Sequence, residues 1–143
     1  MARAIGHIGL LLVMLLPSAC KKGGCNVIPY IPVNRIPFSV AQYPKLAGAN
    51  GSITLDGGVA GVIVYNTGNG FVAYDRCSTV DPERRCAVEV SSDNPLVAVD
   101  PCSKAEFILL NGSPSKLAEC PLKPYYVESV GSGAAAIHYI VIN

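Results

Sequence analysis

Histidine is nearly missing from this 143-residue chain: His7 and His138 stand against six cysteines. Cysteine-using metal and redox sites in small proteins mostly draw on histidine as well, so the shortage removes most of them. A surplus of positive charge is missing too. Eleven basic and ten acidic residues leave a formal charge of +1, too little to neutralise a phosphate backbone, which excludes nucleic acid as the main partner. There is no C-x-x-C pair, no glycine-rich phosphate loop leading into a helix, and no G-x-S-x-G elbow, and neither histidine stands near a plausible nucleophile. Asp81, Glu83, Arg84 and Arg85 form a mixed charged run of the kind that makes a solvated loop. No general base stands out, and the chain is not expected to be an enzyme. Half of the residues are apolar and 15% charged, while 14 glycines and 11 prolines cut the sequence into short pieces. That composition fits neither a coiled coil nor a disordered tail, and leaves a small, turn-rich β domain.

The front of the chain reads as an address. Arg3 lies in a short basic start, Ile8 to Leu16 is an apolar run of nine residues, and Pro17, Ser18, Ala19 and Cys20 close it. Nine residues are too few to span a bilayer, so the segment is a secretory signal and not part of the fold. The Ser-Ala-Cys ending resembles a bacterial lipoprotein signal, in which the cysteine is lipidated and becomes the new N-terminus. The family prefers Leu three places before that cysteine, where this chain has Pro17, with Leu16 one place earlier. The resemblance implies a signal over residues 1–19, a lipid on Cys20, and a chain anchored to a membrane of the bacterial envelope, facing the periplasm or the cell surface. Loss of Arg3 leaves ten basic and ten acidic side chains. Residues 20–27, with Lys21, Lys22, Gly23 and Gly24, read as a flexible tether, and a domain over 28–143 follows.

Within that domain, short runs rich in Val and Ile are bounded by turn residues: Ile36 to Val40, Ser52 to Leu55, Gly61 to Tyr65, Gly70 to Asp75, Ala87 to Val90, Leu96 to Val99, Glu106 to Leu110, Tyr125 to Val130 and Ala136 to Ile142. The breaks at Asp56-Gly57-Gly58, Thr67 to Gly70, Asn111-Gly112 and Gly131 to Gly133 tolerate positive φ. An all-β, antiparallel fold is predicted. A turn or two of helix near Ala41 to Ala47 is the most that Pro44 permits. In the last run, Ile137, Tyr139 and Val141 fall on one face and Ala136, His138, Ile140 and Ile142 on the other. Both faces read as largely buried, which makes His138 a core or edge histidine with a backbone partner. Tyr125 and Tyr126 beside Pro124 read as closing the core.

Three stretches carry a family likeness: Ala73 to Thr79, Asp100 to Gly112, and Ala118 to Tyr125. In order and spacing they resemble the Rieske domain, from about Val33 to the C-terminus. In that family a Cys-x-His loop and a Cys-Pro-x-His loop hold a two-iron, two-sulfur cluster, and a Gly-Ser-x-Phe strand, a glycine turn and a Pro-Ala-x-x-Pro-Leu segment follow. The implied architecture is a β-sandwich of small stacked sheets with two loops at one end. Anchoring on Phe107 places Cys77 and Thr79 at the first loop's ligand positions and Asp100 and Ser103 at the second's. One ligand of four is kept, and Lys104-Ala105 replaces the Gly-Ser. A Rieske centre needs two histidines on one iron, and the mature chain retains only His138. Cys77, Cys86 and Cys102, with Asp100 as an oxygen ligand, lack the tight spacings of known cluster or zinc loops.

Some Rieske proteins also tie the two loops together by a disulfide, and Cys102, directly after Asp-Pro, sits at the second-loop position of that bridge. The resemblance implies Cys86 as its partner, with Cys77 as competitor. A Cys86–Cys102 bridge would close a loop of about fifteen residues and contribute roughly 3 kcal/mol by chain entropy. With Cys20 lipidated five cysteines remain, and an odd number cannot all pair in one monomer. Cys25 could pair with Cys120 if the N-terminal segment folds back, leaving Cys77 alone, or could itself stay free.

Three functions follow. The first is a lipid-anchored Rieske-fold envelope protein without the conventional cluster, acting as a structural or binding module with a protein partner. The second is an electron-transfer protein whose 2Fe-2S cluster uses atypical ligands, with Cys77, Asp100 and Cys102 as metal candidates. The third is a thiol redox protein acting through Cys77 beside Arg76.

Overall fold

The computed structural model describes residues 24–31, 35–133 and 136–141. The signal and Cys20 lie outside the described residues. Among the described residues ten strands form: β1 (Ile36–Phe38), β2 (Ser52–Leu55), β3 (Val62–Asn66), β4 (Phe71–Asp75), β5 (Glu89–Val90), β6 (Val97–Val99), β7 (Glu106–Ile108), β8 (Pro114–Lys116), β9 (Pro124–Val130) and β10 (Ile137–Val141). All pairings are antiparallel. A six-stranded sheet runs β1-β10-β9-β4-β3-β2 and a four-stranded sheet runs β5-β6-β7-β8, so the expected antiparallel β fold of small sheets is the one observed. Helix is confined to 3-10 turns at Pro44–Leu46 and Pro82–Arg84 among the described residues.

Period-two alternation explains where the core sits. On β3, Val62 and Val64 face one apolar cluster, with Phe38, Leu46, Ala73 and Ile140. Ile63 and Tyr65 face the other, with Tyr74, Ala98, Phe107 and Leu122, between the two sheets. A strand buried on both faces reads as an unbroken Val/Ile run, and VIVY is that run. Glycine turns occupy the four predicted breaks. At Gly112 the backbone has φ +73°, and a Cβ would lie 2.6 Å from the Tyr74 ring; only glycine lets this turn close on the core.

Four expectations are corrected. β8 carries no apolar residue and begins with proline, which hides it from a hydrophobic pattern; as the sheet's outer strand it still pairs with β7 and joins Lys116 to Glu106 at 3.0 Å, as an edge position allows. β10 is buried on one face only. Ala136, His138 and Ile140 point inward while Ile137 is 44% exposed, and on the outer face the Arg35 guanidinium lies 4.4 Å from the Tyr139 ring centre. His138 is buried, but its partner is a side chain, the Ser129 hydroxyl at 2.7 Å, and Phe38 and Phe71 pack on its ring. Burial lowers its pKa. Tyr125 closes the core as expected, whereas Tyr126 is 65% exposed, since neighbours on a strand point to opposite faces.

Candidate functional site

Two loops meet at one end of the sandwich. The first leaves β4 at Asp75 and returns at β5. Its arms are laced by Ser78 N–H to the Cys86 carbonyl at 2.9 Å and Val88 N–H to the Arg76 carbonyl at 2.7 Å. Between the arms, the Pro82–Arg84 turn ends in a left-handed Arg85, φ 52°, and the charged run 81–85 is solvated. The second loop joins β6 to β7 and closes on itself, through Asp100 N–H to the Ala105 carbonyl at 2.8 Å and Lys104 N–H to the Asp100 carbonyl at 2.9 Å. Lys104 takes φ +65°. That is the position where the sequence likeness expects glycine, and a left-handed backbone is one that glycine adopts without strain.

A disulfide joins Cys86 of the first loop to Cys102 of the second, with Cα atoms 6.3 Å apart. A second, Cys25–Cys120, spans 95 residues and fastens the N-terminal segment to the turn before β9. Cys77 is the free cysteine among the described residues, and it is buried. Of the pairings the sequence left open, these are the ones formed.

Every ligand-equivalent side chain already has a partner. The Cys77 thiol points at the Pro82 carbonyl, 3.5 Å away. Burial, with the nearby charge of Asp75, raises its pKa from 9.0 to about 11 against the opposing pull of Arg85. The Thr79 hydroxyl donates to the Cys120 carbonyl at 2.7 Å. The Ser103 hydroxyl donates to Asp100 at 2.5 Å, and the Cys102 N–H donates to the same carboxylate at 2.8 Å. Burial would raise the Asp100 pKa, but these bonds and those from the Ser78 hydroxyl and the Ser103 amide outweigh it and lower the pKa. Asp100 is thus a carboxylate held inside the protein by its own loop.

Beneath the loops lies a residue that the sequence reading passed over. Asp75 has no exposed surface. Its oxygens accept from the amides of Val59 at 2.6 Å, Ala60 at 3.3 Å and Cys77 at 2.7 Å, and from the Tyr125 hydroxyl at 2.5 Å. Gly58, at φ +60°, leaves the room, since a Cβ there would overlap the carboxylate. Burial and the bond to Asp75 push the Tyr125 phenol far above its ordinary 10.0. The readable signal was an acidic residue ending a β-strand, opposite a Gly-Gly turn.

These residues do not fit a Rieske cluster. Among the described residues no histidine stands at the loops: Thr79 and Ser103 hold neutral hydroxyls engaged with the protein, and His138 packs against Phe38 and Phe71. The metal set expected from sequence is also altered. The ligand atoms that converge within 4.8 Å are those of Cys86, Asp100 and Cys102, without Cys77, and both sulfurs of that group are joined to each other. The thiol redox reading meets the opposite of what it requires, because a reactive cysteine is accessible and has a depressed pKa, and Cys77 is enclosed with a raised one.

The antiparallel sheets with two bridged loops at one end define a Rieske-like β fold. The ferredoxin of carbazole 1,9a-dioxygenase from Nocardioides aromaticivorans IC177 shares it, at a TM-score of 0.50 and 15% sequence identity, over 78% of this chain and 100% of that one. At that identity the likeness is one of fold. No family model matches the chain, and no curated protein matches its sequence.

Proposed function

We propose that this chain is a lipid-anchored protein of the bacterial envelope that uses the Rieske scaffold as a structural or binding module without the conventional cluster. One observation carries the reading: each side chain at a ligand-equivalent position is bonded within the protein, while the Cys86–Cys102 disulfide holds the two loops together. A bridge of this loop length is worth about 3 kcal/mol, enough to hold the loops without a metal staple. Fold and chemistry separate readily, because function resides in the side chains that a scaffold carries. The membrane attachment rests on Ser18, Ala19 and Cys20, and the exported setting on two disulfides. The partner is a protein of the same compartment.

Anaerobic incubation of the purified chain with iron and sulfide tests the cofactor half. It should leave the protein colourless. Visible absorption with stoichiometric iron that is lost in Cys77→Ser would support the electron-transfer alternative instead. Fractionation tests the anchor: the wild type should sediment with membranes and carry acyl mass on Cys20, and Cys20→Ser should be soluble. A wild type that is soluble and unacylated would overturn that half.

A further inference from the structure

We infer that the two-loop end of the domain rests on the membrane that anchors the chain, with Val80 and Leu117 against the lipid surface. The inference rests on the lipid anchor at Cys20 and adds an orientation to it. The Cys25–Cys120 bridge pins the chain to the turn just before β9. Only four residues separate Cys20 from Cys25, and their five residue steps reach at most about 17 Å. A domain of about 100 residues has a radius of gyration of about 13 Å, so its far end cannot come as close to the anchor as the bridged end does.

The bridged end exposes apolar side chains, Val80 and Leu117, where a lipid surface would meet it. Beside Cys120, an open concavity of about 540 Å³ is lined by Val27, Val80, Leu117 and Ala118. Val80 is 40% and Leu117 64% exposed. Leu117 holds φ +56°, a conformation that a large side chain seldom takes, and it turns its side chain to the outside. Next to this face, exposed Tyr30 lies 5.7 Å from the Lys123 ammonium, the aromatic and cationic pairing that suits a membrane interface. Glu119 also lines the concavity, and the sequence between Cys20 and Cys25 carries two lysines, a composition that favours anionic headgroups.

The chain has no tryptophan, so one introduced indole reports its own surroundings. Leu117→Trp and Val130→Trp place it at the bridged end and at the far end of β9, about 20 Å away at the rise of a strand. Each full-length chain, with acylation of Cys20 checked by mass, is reconstituted into phosphatidylcholine and phosphatidylglycerol vesicles whose acyl chains are brominated. The indole at 117 should be blue-shifted and quenched several-fold more than the one at 130. Equal quenching in an acylated, vesicle-bound chain overturns the orientation and leaves the anchor standing. Absence of the acyl group overturns both. If Leu117→Trp does not fold, Val80→Trp takes its place. Adding Cys25→Ser with Cys120→Ser should reduce quenching at 117 while the lipid stays; unchanged quenching overturns the role given to the bridge.

Discussion

A carboxylate without exposed surface survives at position 75 because four donors converge on it, three amides and the Tyr125 hydroxyl. Hydrogen bonds to a charged group are worth about 1.5–3 kcal/mol each. Tyr125→Phe should therefore cost about 2 kcal/mol in urea unfolding, without a change in m-value; a cost near zero would show that water replaces the phenol. Cys77 gives a second test. In the folded protein its pKa is about 11, against 9.0 ordinarily, so the unfolded chain loses its proton first as pH rises. The contribution of Cys77 is complete below pH 9 and is lost between pH 9 and 11. Cys77→Ala should flatten the fall in stability over that window. At pH 7 an alkylating reagent should leave the native thiol untouched and modify it once denaturant is added. Fast native alkylation would reopen the thiol chemistry. Cys77 was visible in the sequence as an odd cysteine, but its inertness was not, because burial, the largest cause of its raised pKa, and the approach of Asp100 arise only in the fold.

Among elements, the bridged pair of loops ranks first. Removing the Cys86–Cys102 link by Cys86→Ser with Cys102→Ser should cost about 3 kcal/mol, the entropy of opening a loop of about 16 residues, seen as a lower urea midpoint. A much smaller loss would mean that the Asp100 bonds alone hold the second loop. Strand positions were legible wherever burial on one or both faces leaves an apolar run, as at Ser52–Leu55 and the VIVY of β3. They were illegible at Pro114–Lys116, where pairing through the backbone of an edge strand leaves no apolar trace. The two loops were located by Cys77, Asp100 and Phe107, yet their internal hydrogen bonds depend on φ at Lys104 and Arg85, which no residue type announces.

At the scale of the whole molecule, the proposed function is a Rieske-like scaffold without its usual cofactor. The Rieske-like fold shared with the carbazole dioxygenase ferredoxin persists with Asp75, Tyr125 and the Cys86–Cys102 link beneath and between the loops, and the ligand-equivalent side chains bonded inward. The most direct test is iron per chain, together with the visible spectrum, of full-length protein purified under nitrogen from the membranes of an exporting host. The account predicts far less than one iron per chain, no absorption above the protein band, and a cooperative unfolding transition. Two irons per chain with visible absorption would contradict it, and would call for ligands other than Thr79 and Ser103, whose hydroxyls are engaged with Cys120 and Asp100.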